Sequence, residues 1–308
     1  MDVLLTDPVP RLPLAQWTDN FVVWVTNTFP GPFDFIQTVV GFVVDTLQNA
    51  LTGPPDLVMV LILAAIALYL AGWRIGLFSA VGLLLIISLD LWQDAMVTLS
   101  LVIAATLVSL AIGVPIGVLC AQSARVRTVL KPVLDVMQTM PSFVYLIPMA
   151  ILLGLGNVPA LIATVIFSMP PAIRLTMLGI QQVPHETVEA SEAFGATTWQ
   201  TLRKVELPLA LPSIMAGVNQ VIMLSLSMVV IAALVGAGGL GAVVVTGLSQ
   251  LDVGKGFVGG VGIVIIAMIL DQVTRNMSRQ SHKVPGLAAV ANRLSFRVVS
   301  RSKRGVGV

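Results

Sequence analysis

The residue types that carry acid–base, metal-ion or nucleophilic chemistry are scarce in this chain. Only 10% of its 308 residues are charged, and it contains two histidines and one cysteine. Cys120 therefore has no partner for an intramolecular disulfide. With His185 and His282, the chain has only three cysteine and histidine residues, and they do not form the cluster that a zinc site requires. These counts exclude a disulfide scaffold and a zinc centre.

Two glycine-rich segments are candidates for phosphate binding, and neither has the required pattern. A phosphate loop needs two glycines separated by four residues, then lysine and a hydroxyl residue. Gly254-Lys255-Gly256 lacks this spacing and the hydroxyl, and the apolar run Gly236–Gly241 lacks the lysine. The chain is therefore predicted to bind no nucleotide and no cofactor. The run Gly236–Gly241 is instead expected to permit close helix packing or a bend.

The polar side chains concentrate in one segment, residues 181–212. Pro184 suits the first turn of a helix, where its missing N–H costs little, and Gly195 suits a left-handed helix stop. The segment therefore predicts a short helix that ends in a glycine turn. Its charged residues are Glu186, Glu189, Glu192, Arg203, Lys204 and Glu206.

A second helix is predicted after the glycine turn. Thr197 and Gln200 have the spacing of a capping box, in which each side chain bonds the other residue's backbone N–H. We expect this helix to run to about Val205 and to end at Pro208. Residues 181–212 thus predict a helix, a turn and a second helix.

The remainder of the chain is too apolar for a soluble domain. It is 56% hydrophobic with a mean hydropathy of +0.96, whereas a soluble chain carries about 25% charged residues. Since a membrane helix needs about 20 apolar residues, we predict an all-α membrane protein with about seven transmembrane helices. The candidate spans are Leu57–Trp73, Ile75–Leu91, Ala95–Ala121, Ser142–Gly156, Val158–Ile180, Ile214–Leu240 and Phe257–Leu270.

Charge placement predicts the orientation in the membrane. One basic and six acidic residues precede the first span, whereas the tail from Arg275 onward has eight basic residues and no acidic one. The positive-inside rule then puts the N-terminus outside and the C-terminus, with residues 181–212, in the cytoplasm. The predicted location is the bacterial cytoplasmic (inner) membrane, crossed several times. The basic tail is interpreted as a juxtamembrane stop signal rather than a specific lipid site.

The external N-terminal segment contains a helical pattern. Apolar residues recur at three- and four-residue spacing from Phe35 to Val44, with Asp34, Asp45 and Gln48 elsewhere on the helical wheel. This predicts an amphipathic helix. Two placements remain open: on the outer membrane surface, or packed against the bundle.

One spacing in residues 181–212 is distinctive. The segment carries Glu189, Ala190, Ser191, Gly195, Val205, Leu207 and Pro208, with three residues before the glycine and nine after it. This resembles the EAA signature of permease subunits of ABC importers. Ser191 stands for the second alanine and Val205 for isoleucine, and neither change alters size or helix geometry enough to weaken the likeness.

The resemblance extends over roughly residues 94–276. Six further segments are similar to the glycine betaine/proline betaine permease family: Gln138–Pro148, Gly154–Pro159, Pro170–Thr176, Ile214–Gln220, Leu224–Ile231 and Gly236–Gly241. It implies a type I ABC importer core, with residues 181–212 as its coupling loop. The implied divisions are an extracytoplasmic segment (1–54), two accessory membrane helices (55–93), the core (94–280) and a basic cytoplasmic tail (281–308).

The resemblance also implies partners rather than catalysis by this chain. They are two ATPase subunits that use ATP and Mg²⁺, an extracytoplasmic substrate-binding protein, a second copy of the chain, and membrane lipid; no nucleic acid is expected. The implied contacts to the ATPase are Glu189, Ala190, Ser191, Gly195, Arg203, Lys204, Leu207 and Pro208.

The implied solute is a quaternary-ammonium compatible solute, first glycine betaine or proline betaine. Choline, carnitine or trimethylamine N-oxide are alternatives. An ion-coupled secondary transporter is a second alternative, but such proteins place ionisable residues at depth, and the third and sixth spans contain none. A third alternative is a membrane scaffold that does not transport. Arg174 is interpreted as a snorkelling anchor. The candidate pathway residues are Gln138, Met140, Tyr145, Asn219, Ser225 and Met228.

Overall fold

The computed structural model describes residues 13–281, which form helices and no strands. The basic tail predicted over 281–308 lies almost wholly outside the described residues. The helices are α1 (Leu14–Thr28), α2 (Pro30–Thr52), α3 (Asp56–Ala71), α4 (Trp73–Ser88), α5 (Trp92–Gln122), α6 (Ala124–Thr139), α7 (Phe143–Leu153), α8 (Asn157–Gln181), α9 (His185–Ala193), α10 (Thr198–Thr201), α11 (Leu207–Ala232), α12 (Leu240–Ser249) and α13 (Val253–Ser281). A π-helical segment, Leu202–Glu206, joins α10 to α11, and a 3₁₀ turn, Ala233–Val235, extends α11.

Four helical stretches are long and apolar enough to cross a membrane. They are Trp92–Gln122, Asn157–Gln181, Thr198–Val235 and Val253–Asn276. These correspond to the predicted third, fifth, sixth and seventh spans. Among the described residues the number rises to six if α2 with α3, bent by 103°, and α6 with α7, bent by 95°, each form one span. The all-α membrane fold is confirmed, with fewer full-length spans than the seven counted from hydropathy.

The predicted fourth span, Ser142–Gly156, is wrong as an independent crossing. α7 has 11 residues, about 16 Å of helix, against a hydrocarbon core of about 30 Å. The chain bends before it because Met140 precedes a proline and adopts an extended backbone, as proline requires of its predecessor. After it, Gly154 takes a φ of +80° and ends the helix.

The predicted first and second spans are also short. α3 and α4 have 16 residues each, about 24 Å of helix. The Gly53-Pro54-Pro55 break separates α3 from α2, and Gly72, with a φ of +93°, separates α3 from α4. Glycine and proline thus cut the apolar sequence into pieces that hydropathy alone reads as full spans.

The core of the bundle is the contact of α5, α8 and α11. Glycine lets these helices approach closely: a Cβ on Gly117 would lie 2.7 Å from the Ile173 carbonyl oxygen, and one on Gly179 would lie 2.7 Å from the Ser213 Cβ. The hydroxyls of Ser109 and Ser168 are 2.9 Å apart between α5 and α8. Small residues at helix contacts are typical of membrane bundles, where close van der Waals packing drives association.

The N-terminal helical pattern is confirmed as α2. Val44 is 1% exposed, and Val40, Leu47 and Leu51 pack with it against the main apolar cluster. This face lies against α5 and α8. α2 therefore packs against the bundle along one edge of the predicted face, whereas Phe35, Ile36, Val39 and Val43 are exposed.

The run Gly236–Gly241 forms a bend between α11 and α12. Gly236 and Gly239 have φ angles of +84° and +91°. A Cβ on Gly239 would lie 2.5 Å from the Thr98 hydroxyl, and the same hydroxyl accepts the Leu240 N–H at 2.8 Å. The run therefore serves both expected purposes, a bend and a close approach to α5.

Candidate functional site

The first arm of residues 181–212 is α9, which begins and ends where the sequence indicates. The segment keeps the name coupling loop from the role that the resemblance implies. Pro184 precedes its first residue, His185, and Glu186 lies in the first turn, where a negative charge suits the helix dipole. The structure describes every residue of α9 and finds none of them buried. Glu189, Ala190 and Ser191 therefore lie on a helix that meets solvent on most of its surface.

The turn after α9 requires glycine for its backbone conformation. Gly195 has a φ of +81°, and a Cβ placed there would meet nothing within 4 Å. The Gly195 N–H donates to the Glu192 carbonyl at 2.8 Å, and the Ala196 N–H donates to the Ser191 carbonyl at 3.2 Å. These bonds satisfy the last carbonyls of the helix, as a left-handed C-terminal cap does. The glycine is thus explained within this chain by its torsion angle.

The capping box at the start of the second arm is confirmed. The Gln200 N–H donates to the Thr197 hydroxyl at 3.4 Å, and the Thr197 N–H donates to the Gln200 side-chain oxygen at 2.9 Å. Both ends of the loop's central turn are therefore fixed by local hydrogen bonds.

The prediction that Pro208 ends the second helix is wrong. The chain continues without a break from α10 through the π-helical segment into α11, and Pro208 lies in the first turn of α11. The Leu207 N–H reaches back five residues to the Leu202 carbonyl. Proline lacks the donor that an α-helix would use here, and the wider π turn just before it accommodates that loss.

The second arm is anchored in the bundle at its base. Thr201 and Leu202 are 3% and 5% exposed, and Leu202 packs with Ile180 and Ala210. The Gln122 amide at the end of α5 donates to the Glu206 carboxylate at 2.9 Å. The arm is thus attached to α5, α8 and α11 together.

The two arms are joined to each other by few contacts. The hydroxyls of Ser191 on α9 and Thr201 on α10 are 3.1 Å apart. The Glu189 carboxylate lies 3.1 Å from the His185 ring on the same helix. Arg203 and Lys204 are exposed on the π-helical segment.

Two exposed aromatic side chains of the loop were not predicted from the sequence as candidate site residues. Phe194 is 94% exposed and Trp199 is 65% exposed, one on each side of the glycine turn. Aromatic residues, including Phe and Trp, are enriched at protein interfaces. Their signal in the sequence was the presence of large aromatics within a polar segment.

A comparison with protein families now identifies the chain. Residues 113–281 match the family described as the binding-protein-dependent transport system inner membrane component. The chain belongs to this family.

Two curated relatives are similar over most of their length. One is the glycine betaine/proline betaine transport system permease protein ProW of Escherichia coli, 47% identical over 90% of this chain and 79% of the relative. The other is the glycine betaine transport system permease protein OpuAB of Bacillus subtilis, 48% identical over 88% of this chain and 96% of the relative.

A solved structure supports the fold of this inner membrane component. An inward-facing structure of the MetNI methionine ABC transporter aligns with a TM-score of 0.56, over 60% of this chain and 92% of that one, at 22% identity. At this identity the likeness concerns the fold alone.

Three of the six candidate pathway residues of the inner membrane component come together. Tyr145 and Met228 share a buried cluster, and Met140 packs against it. The Tyr145 hydroxyl donates to the Met137 carbonyl at 2.6 Å. Ser225, also on α11, is fully buried, and its hydroxyl has no hydrogen-bond partner among the described residues.

The other two candidates lie elsewhere. The Asn219 side chain accepts a hydrogen bond from the Thr274 hydroxyl of α13 at 2.9 Å. Gln138 is exposed on α6. These two positions do not join the cluster around Tyr145.

Arg174, interpreted from the sequence as a snorkelling anchor, also pairs with a carboxylate of a neighbouring helix. Its guanidinium donates to the Asp135 carboxylate of α6. The two residues are 39 positions apart, so helical periodicity gives no signal for the pair. The ion pair connects α8 to α6.

Proposed function

We propose that the chain is the permease subunit of an ATP-driven importer for a betaine, either glycine betaine or proline betaine. The observation that carries this proposal is the coupling loop: an exposed helix and glycine turn on one side, and on the other a helix that continues into the core of the bundle. The names of the two curated relatives support the solute class.

The proposed partners are inferred from the missing phosphate loop and from the exposed residues of the coupling loop. It has no phosphate loop in its sequence, so ATP and Mg²⁺ are used by two separate ATPase subunits. Each would contact one copy of the permease through Glu189, Ala190, Gly195 and the two exposed aromatics. Two copies of the chain form the pathway, with the loop in the cytoplasm and the N-terminus outside.

The connection of the loop to the bundle suggests how motion is transmitted. The helix Thr198–Val235 has 38 residues, about 57 Å at the rise of an α-helix. Closure of the ATPase subunits would draw the two coupling loops together. Because the second arm and α11 form one helix, that displacement becomes a rigid-body movement of α11 against its partner helices.

Solute selection is assigned to the extracytoplasmic binding protein. Quaternary ammonium groups are recognised by aromatic cages, and only 6% of this chain is aromatic. The cluster of Met140, Tyr145 and Met228 then forms part of a passage that holds the solute weakly, together with Gln138, Asn219 and Ser225.

Reconstitution tests the proposal. The chain is placed in vesicles with its ATPase, ATP is supplied to the ATPase side, and the binding protein with labelled glycine betaine is added on the other. Uptake is expected only with all three proteins and ATP, with an ATPase variant unable to hydrolyse ATP as the control. Gradient-driven uptake by the chain alone would overturn it. Unlabelled choline, carnitine and trimethylamine N-oxide, added as competitors, rank the alternative solutes.

A further inference from the structure

A second group of positive charges lies beside the start of the coupling loop, in a cleft between α6 and α8. The cleft has a volume of about 300 Å³ and is lined by Arg127 and Lys131 of α6 and by Arg174 of α8. The two α6 residues are one helical turn apart, so they occupy the same face of that helix.

The charge of the cleft is incompletely neutralised. Arg174 is paired with Asp135, but neither Arg127 nor Lys131 forms an ion pair within residues 13–281. Three cations therefore face one carboxylate. Such an excess of positive charge attracts an anion most strongly where water is partly excluded.

The rest of the lining is apolar, and the cleft lies at one end of the long helices. Leu134, Met177 and Leu178 contribute hydrocarbon surface beside the cations. Gln181, the last residue of α8, also lines the cleft and begins the coupling loop. The cleft thus spans the boundary between the apolar bundle and its polar face.

The lining does not suit a betaine. A betaine carries a quaternary ammonium group, which needs aromatic faces or carboxylates. The lining residues that the structure gives for this cleft include neither. Its chemistry fits a ligand that combines a negative head with a hydrocarbon body.

We propose that this cleft binds the phosphate headgroup of an anionic phospholipid. Arg127 and Lys131 contact the phosphate, while Leu134 and Leu178 contact the first methylenes of an acyl chain. Basic pockets between membrane helices on the cytoplasmic side bind anionic headgroups in this way. The site depends on neither the solute nor ATP, and it rests on the proposed function only for the orientation that puts the end of α8 on the cytoplasmic side.

Native mass spectrometry of the full chain tests the site. The detergent-purified protein is titrated separately with phosphatidylglycerol and with phosphatidylcholine carrying the same acyl chains. The wild-type chain is expected to bind phosphatidylglycerol more tightly. Arg127→Gln is expected to weaken that binding about fivefold and to leave phosphatidylcholine binding unchanged.

The chain offers a matched control on the same helix. Arg125 is exposed and does not line the cleft, so Arg125→Gln removes the same charge and should leave phosphatidylglycerol binding unchanged. Arg127→Lys keeps the charge and should retain most of it. Thermal unfolding of each variant shows whether it is folded.

Three results overturn the proposal. They are an absence of preference for phosphatidylglycerol, an equal loss of binding in Arg125→Gln and Arg127→Gln, and binding of soluble glycerol phosphate as tight as that of the lipid. The last result would assign the cleft to a soluble phosphate compound.

Discussion

The two arms of the coupling loop are attached to the molecule in opposite ways. α9 has no buried residue and is joined to the second arm by the Gly195 turn and the hydrogen bond between Ser191 and Thr201. The second arm has Leu202 buried at its base and continues into α11. Under the proposed function, this difference would separate two tasks: α9 would present a surface to the ATPase, and the second arm would carry movement into the bundle.

Truncating a side chain on each arm should give the largest difference. Leu202→Ala removes packing from a buried cluster, and such a change costs about 2–5 kcal/mol of unfolding free energy. Val188→Ala on α9 removes a half-buried side chain and should cost well under half as much. Thermal unfolding of the purified chain measures both. Equal losses would contradict the difference in attachment.

The glycine turn should show the next largest effect. Gly195→Ala forces an L-residue into a left-handed conformation at a cost of about 1–2 kcal/mol, which should displace α9 and weaken co-purification with the ATPase. Gly31 of α2 is the matched control: a Cβ placed there would also meet no atom within 4 Å, but its φ is not positive. Gly31→Ala should therefore be neutral or stabilising. A neutral Gly195→Ala would show that the torsion angle does not matter.

The hydrogen bond between the arms should contribute less. Ser191→Ala removes one hydroxyl of the pair, and a hydrogen bond of this kind is worth about 1 kcal/mol. Amide hydrogen exchange should quicken in α9 and stay unchanged in α11. Faster exchange in both helices would mean that α9 stabilises the second arm.

The smallest effect is expected at the exposed pair of His185 and Glu189. Their side chains are 84% and 64% exposed, and surface ion pairs contribute little. His185→Ala should leave the melting temperature unchanged. Glu189→Gln should also leave it unchanged while weakening association with the ATPase, because the carboxylate is exposed and its only ion pair within residues 13–281 is with the exposed His185. A lowered melting temperature in either variant would assign Glu189 a role within the fold.

The features predicted correctly from the sequence are those set by local backbone chemistry. Pro184, Gly195 and the pair Thr197 and Gln200 act through bonds within a few residues, so their spacing is sufficient to place the helix ends. The bend at Gly239 shows the limit of prediction from local sequence. The glycine indicates a bend, but only the structure shows that the bend lies against Thr98 of α5.

The features that were not predicted from the sequence depend on contacts between helices or on local irregularities within a helix. Pro208 looked like a helix end because the π turn before it leaves no sequence signal. The contact of Arg174 with Asp135 joins two helices, and hydropathy averages over the bend at Met140. In each case a tertiary contact or a local irregularity overrides the periodic pattern.

The most direct test of the central claim is a pair of distances across the helix Thr198–Val235. Spin labels are placed at Trp199→Cys and Met223→Cys, roughly 36 Å apart along a continuous helix, in a chain whose single cysteine is replaced by Cys120→Ala. Doubly labelled chains diluted with unlabelled copies report the distance within a chain, and undiluted chains labelled at position 199 alone report the distance between copies. Each preparation is assembled with the ATPase and binding protein.

Pulsed electron paramagnetic resonance then compares the nucleotide-free and ATP-bound assemblies. If α10 and α11 move as one rigid body, the distance between positions 199 and 223 within a chain stays the same. The distance between the two copies of position 199 shortens. A change in the distance within the chain while the copies approach each other would show that the loop bends at the π-helical segment, and would contradict rigid transmission.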